Sequence, residues 1–177
     1  MSMAELGQTV SGESSVDLVS VGQAMHWFDL PVFYKQVKWI LKKPDGVIAA
    51  WCYNIPEVNE LVDRVLIRFY KDMTDPFWAP ARKLVEEKYT TIEFPFEPVE
   101  GVDGTGPFMF TGEMSVDLDG FLTYLRSWSA YQTAKDRGIE LLTKEMVRDF
   151  ECAWNEDGPA EKIVRFPVAL KIGRVGN

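Results

Sequence analysis

The chain has one histidine, His26, and two cysteines, and no C-x-x-C pair occurs. A structural zinc centre needs a full set of such ligands, so no metal site is expected. Cys52 and Cys152 do not make a disulfide framework; Cys52 sits in an apolar strand pattern and Cys152 in a helical one, and both read as buried small hydrophobes. Basic residues are in deficit: 19 Lys and Arg against 27 Asp and Glu give a net charge of −8. The clustered cations that a nucleic acid or an anionic membrane surface would require are missing, so neither is an expected partner. No apolar run is long enough to span a bilayer. Residues 1–15 have no basic start and no apolar stretch, so no secretory signal is read, and a reducing, cytoplasmic setting is expected. Glycine-rich phosphate cradles are also lacking. The one G-x-G, Gly104-Thr105-Gly106, has no strand before it and no helix after it, which makes it a plain turn. There are no internal repeats.

Aromatic and aliphatic residues are plentiful. The 177 residues are 46% hydrophobic, with six Trp, eleven Phe and six Tyr, enough for one domain with a real core over 1–177. Residues 1–15 form an N-terminal segment, helix-prone from Ala4 to Val10. Val16 to Val21 is a short apolar, β-branched run that predicts a strand buried on both faces. Asp29 before Leu30-Pro31 signals a helix start, and Phe33, Val37, Ile40 and Leu41 form its apolar stripe. Pro44-Asp45-Gly46 stops that helix, and Val47 to Trp51 predicts a second strand. Residues 16–53 are therefore a βαβ unit with parallel strands.

Residues 54–177 predict helices and antiparallel strands. Asn54 to Glu57 opens a helix with Val58, Leu61, Val62, Val65 and Leu66 as its buried stripe, running to about Asp72. Trp78 to Tyr89 predicts a helix, and Thr91 to Phe96 and Phe108 to Thr111 predict strand pieces. Asp117 or Asp119 caps a helix reaching about Trp128, and Thr143 starts one ending near Asn155. Val164, Phe166, Val168, Leu170 and Ile172 alternate with Arg165, Pro167, Ala169, Lys171 and Gly173, a strand with one apolar face. Pro167 cannot donate to a ladder, which predicts an edge or a bulge there.

The segment VDLVSVGQAMHWFDLPVFYKQVKWILKKPDGVIAAW (residues 16–51) resembles the second half of class I S-adenosylmethionine-dependent methyltransferases. With Leu125 to Ala134, LRSWSAYQTA, and the closing strand, it is most similar to a plant group related to trans-aconitate methyltransferase and other small-acid methyltransferases. The resemblance covers nearly the whole chain. It implies an α/β, three-layer, partial Rossmann-like methyltransferase fold carrying strands 4-5-7-6 of a sheet ordered 3-2-1-4-5-7-6. It further implies S-adenosyl-L-methionine as cofactor and a small acid or hydroxyl compound as substrate. The glycine-rich turn after strand 1 and the acidic residue after strand 2, which hold the cofactor in that family, have no counterpart here. A truncated domain with impaired or no activity is the resulting expectation.

The resemblance places Gly22, Gln23, Ala24, His26 and Trp27 at the turn facing the cofactor. His26 is the sole imidazole and is suited to take a proton from a hydroxyl substrate; a carboxylate needs no base, and His26 would then only position. The competing reading is a histidine satisfied by backbone at a strand–helix turn. Trp27 and Phe28 read as ligand contacts or as core. Arg126, Trp128 and Tyr131 resemble a substrate-proximal segment, with Arg126 suited to a carboxylate; Tyr124, Trp128 and Tyr131 also fit the buried stripe of one helix.

Without strand 1, the strand at 16–21 has an unpaired apolar edge. Pairing with the same strand of a second copy would cover it, so a homodimer is expected, or a protein partner on that edge. Two functions therefore compete: a methyltransferase, and a non-catalytic dimerising or protein-interaction module derived from one.

Overall fold

A computed structural model describes residues 2–10 and 12–177; Met1 and Ser11, within the N-terminal segment 1–15, lie outside the described residues. The helices in chain order are α1 (Met3–Thr9), α2 (Leu30–Ile40), α3 (Glu60–Arg68), α4 (Arg82–Glu86), α5 (Leu118–Arg126), α6 (Ser129–Asp136) and α7 (Lys144–Asn155). The strands are β1 (Leu18–Gly22), β2 (Val47–Tyr53), β3 (Phe108–Val116) and β4 (Lys162–Arg174). They form one sheet in the order β1-β2-β4-β3. β1 and β2 are parallel, from Leu18↔Val47 to Gly22↔Trp51, and β2 and β4 are antiparallel, from Val47↔Arg174 to Tyr53↔Val168. That is the 4-5-7-6 arrangement the resemblance implies, reached by a βαβ crossover through α2.

The chain divides into two units, Met1–Asn54 with Ala81–Phe110 and Pro167–Asn177, and Ile55–Pro80 with Thr111–Phe166. In the first, Asp29 accepts the Val32 N–H and starts α2, with Pro31 in its opening turn. Tyr34, Val37 and Ile40 are the buried face of α2, with Leu41 just beyond its end. Gly46 ends the connection because a Cβ there would lie 2.6 Å from the Lys42 carbonyl oxygen. In the second unit, Val62, Leu66, Phe121, Leu125, Phe150 and Trp154 build the core. α5 starts where Asp117 accepts the Gly120 N–H, and α7 where Thr143 accepts the Met146 N–H.

Several expectations are corrected. β1 is not buried on both faces: Leu18 is 55% exposed and only Val21 is buried, as befits the terminal strand of the sheet. Asn54 to Glu57 is not helical, because Glu57 pairs with Arg165 through two backbone hydrogen bonds of 2.8 Å. The helix begins at Glu60, where Asn59 caps the Val62 N–H, and Leu61 lies outside its buried face. It passes into a π-helical turn at Phe69–Thr74. Trp78 to Tyr89 is helical only over α4; Pro80 lacks the N–H group an earlier start needs, and Lys88 and Tyr89 leave the helical region with positive φ. Thr91 to Phe96 forms no strand. Pro95 removes a ladder donor there, and Phe94 and Phe96 instead meet the Tyr34 ring edge-on. Cys152 is exposed, whereas Cys52 is buried.

The apolar face of β4 is not continuous. Val164 is buried on one register, and Ala169, Lys171 and Gly173 on the other. The switch falls around Pro167. Glu57↔Arg165 lies four residues on from Tyr53 but only three back from Val168, so the pairing slips by one residue at the proline.

Candidate functional site at the carboxyl end of β1

Ligand sites in α/β sheets gather beyond the carboxyl ends of the parallel strands, and the residues after β1 are locally built for such a place. The Gln23 N–H still bonds the Trp51 carbonyl at 2.8 Å, so the sheet reaches one residue past β1. Gln23 then turns the chain with a positive φ of 51°. Its side-chain amide clamps Tyr53, donating to the Tyr53 carbonyl at 3.1 Å and accepting the Tyr53 N–H at 2.8 Å. A Cβ at Gly22 would stand 2.8 Å from the Trp51 indole, so a larger residue here would displace that side chain.

A 3-10 turn over Met25–Trp27 follows, with Met25 fully buried. His26 is half-buried, while Trp27 is 53% exposed and Phe28 40% exposed. The His26 and Trp27 rings lie 4.8 Å apart between centroids. His26 Nδ1 is 2.9 Å from the Tyr89 hydroxyl. Burial, and then the positive charge of Arg82, hold the His26 imidazole below its ordinary pKa. It is therefore a neutral ring at neutral pH.

The segment Arg82–Tyr89 supplies the other side of this cluster. It turns back after α4 through Lys88 and Tyr89, both with positive φ. Tyr89 is fully buried, and burial raises its phenol pKa, helped by Cys52. Burial also pushes the Cys52 thiol up to about 11, against the opposing charges of Arg82 and Lys88. Asn54, just past β2, donates to the Glu86 carbonyl at 3.4 Å, while its buried side-chain oxygen has no partner among the described residues. Sequence reasoning missed Tyr89, Arg82 and Asn54. Nothing in the spacing of Trp78 to Tyr89 signals the left-handed pair that points Tyr89 at His26.

Arg126, Trp128 and Tyr131 lie in the other unit. They do not share one helix: α5 ends at Arg126 and Trp128 caps α6, so the single-stripe reading fails. Trp128 sits among Phe69, Tyr70, Trp78 and Tyr124, with centroids 5.7 to 6.0 Å from it or from each other. That is core packing. Tyr131 is 4% exposed, and its hydroxyl donates to Glu140 at 2.6 Å. The same carboxylate accepts the Leu142 N–H at 2.7 Å. Burial and the Glu140 contact raise the Tyr131 pKa, and the charge of Arg126 opposes the rise. Arg126 and Tyr131 are thus brought together, with Arg126 exposed.

The strand order and its crossover define a class, the Rossmann-like sheet of methyltransferases. A solved structure of a protein from Anaeromyxobacter dehalogenans, named as a type II methyltransferase, matches with a TM-score of 0.74 at 32% identity, covering 93% of this chain and 66% of that one. A Dictyostelium discoideum protein named as a methyltransferase is 30% identical over 179 residues, covering 98% of this chain and 65% of its own length. A Saccharomyces cerevisiae protein named as an S-adenosylmethionine-dependent methyltransferase is 23% identical over 138 residues, 66% of this chain and 47% of that protein. No family model matches. The chain is homologous to methyltransferases and spans just under two thirds of the length of the Dictyostelium relative.

Proposed function

We propose that this chain serves S-adenosylmethionine-dependent methyl transfer to a small acid or hydroxyl compound. The observation that carries the reading is the turn Gly22–Trp27 at the carboxyl end of β1, in a sheet of methyltransferase order with methyltransferase relatives. The exposed Trp27 indole offers a flat apolar face for an adenine, and Gly22, Gln23 and Ala24 set the backbone course beneath it. When bound, the cofactor supplies an electrophilic methyl group. The chain's own share is alignment and the exclusion of water. His26 holds the reacting oxygen of the substrate. The sequence contains no glycine-rich strand-to-helix turn that would cradle the rest of the cofactor, so the 177 residues on their own bind it weakly.

Calorimetric titration with S-adenosylhomocysteine tests this reading. Saturable heat in the micromolar to millimolar range supports it, and no heat at millimolar ligand rejects it.

A second reading has its own observation: β1 ends the sheet, with Leu18 exposed along an apolar strand. We infer from it a homodimer through that edge, or a partner protein in the same place, either with or without catalysis. Light scattering that gives a monomer at micromolar concentration, with the β1 amides unprotected in hydrogen exchange, rejects this.

A further inference from the structure

The phenol oxygen of Tyr89 has two lone pairs and one proton. His26 Nδ1, 2.9 Å away, is the partner the structure gives its hydroxyl among the described residues. A buried phenol O–H is costly to leave without an acceptor, so in the contact to His26 Nδ1 the phenol O–H is the donor. Tyr89 is fully buried, so the proton stays on it. A neutral imidazole that accepts at Nδ1 carries its own proton on Nε2.

We propose that Tyr89 is a positioning residue that holds His26 in its Nε2–H tautomer, so that the turn after β1 offers a hydrogen-bond donor and takes its ligand through a carboxylate oxygen. The ligand class rests on the functional reading above and narrows it, favouring the acid over the hydroxyl compound. The tautomer does not depend on that reading. His26 is then unsuited to removing a substrate proton, because its basic nitrogen is occupied by Tyr89. The contacts named for His26 leave Nε2 without a partner among the described residues.

The sole histidine makes the test direct. A long-range proton–nitrogen NMR spectrum of the whole chain above neutral pH is expected to show an unprotonated Nδ1 and a protonated Nε2. In Tyr89→Phe the two nitrogen shifts are expected to move toward each other as the tautomers mix. A wild-type spectrum with Nδ1 protonated overturns the proposal whether or not the variant folds, as does a folded Tyr89→Phe with an unchanged tautomer. Succinate, added as the probe, is expected to move the Nε2 signal saturably, while butanediol does not; no shift with succinate, or an equal shift with both, overturns the ligand class. S-adenosylhomocysteine binding, read separately by calorimetry, carries the methyltransferase reading alone, so the two failures are distinguishable.

Discussion

Replacing Gln23 separates two effects that the turn after β1 combines. Its amide makes two hydrogen bonds to the Tyr53 backbone, at 2.8 and 3.1 Å, while its own backbone sits at a φ of 51°. Each bond contributes on the order of 0.5–1.5 kcal/mol, so Gln23→Ala should destabilise the protein by about 1–3 kcal/mol. A left-handed conformation costs a residue with a Cβ about 1–2 kcal/mol relative to glycine. Gln23→Gly loses the same two bonds but relieves that strain, offset in part by about 0.4–1 kcal/mol of extra freedom in the unfolded chain. The expected order is therefore wild type, then Gln23→Gly, then Gln23→Ala, with the two variants separated by up to about 1.6 kcal/mol. Urea unfolding monitored by tryptophan fluorescence reads this as shifts in midpoint at constant slope. Gln23→Ala at wild-type stability would refute the clamp, and Gln23→Ala more stable than Gln23→Gly would refute the strain.

Three further outcomes follow from the same structure. His26 is held below its ordinary value of 6.5 by burial and by Arg82, so its neutral form is preferred in the folded protein. The stability this gives is complete above the unfolded-state pKa and is lost as pH falls from there through the folded value; proton NMR titration of the one imidazole should find a midpoint below 6.5, and a midpoint above it contradicts the burial. Cys152 is exposed, whereas the Cys52 thiol is buried with its pKa pushed up to about 11; a thiol reagent should therefore label one site quickly in the native protein and the second only after unfolding. Trp154 is fully buried and donates its indole N–H to the Ala160 carbonyl at 2.9 Å, and Trp154→Ala should cost about 3–5 kcal/mol in denaturant unfolding, whereas a loss under 1 kcal/mol would contradict its place in the core.

Much of the fold could be read from local signals. The caps Asp29, Asp117 and Thr143 stand where helix starts were expected, because each is a short polar side chain placed before an apolar stripe. The βαβ unit and the 4-5-7-6 order followed from apolar runs and from a resemblance spread over most of the chain. Features set by tertiary context were not legible. Asn54 to Glu57 carries a helix-start pattern, yet two backbone bonds between Glu57 and Arg165 keep it out of a helix. Phe94 and Phe96 alternate like a strand, but the residues pack as an aromatic cluster on Tyr34. Cys152 lies on the solvent side of α7, where helical periodicity alone did not put it. The site was half legible. His26 and its neighbours came from the resemblance, whereas Tyr89 reaches His26 from 63 residues away through a left-handed pair that no spacing announces.

The central claim is that the turn after β1 contacts the cofactor and substrate. Its most direct test is an NMR titration of S-adenosylhomocysteine into the intact chain, following the His26 ring and the Trp27 indole. Both signals should shift along one saturable curve, and Trp27→Ala should weaken that curve. Saturable binding that leaves both signals in place would contradict the claim.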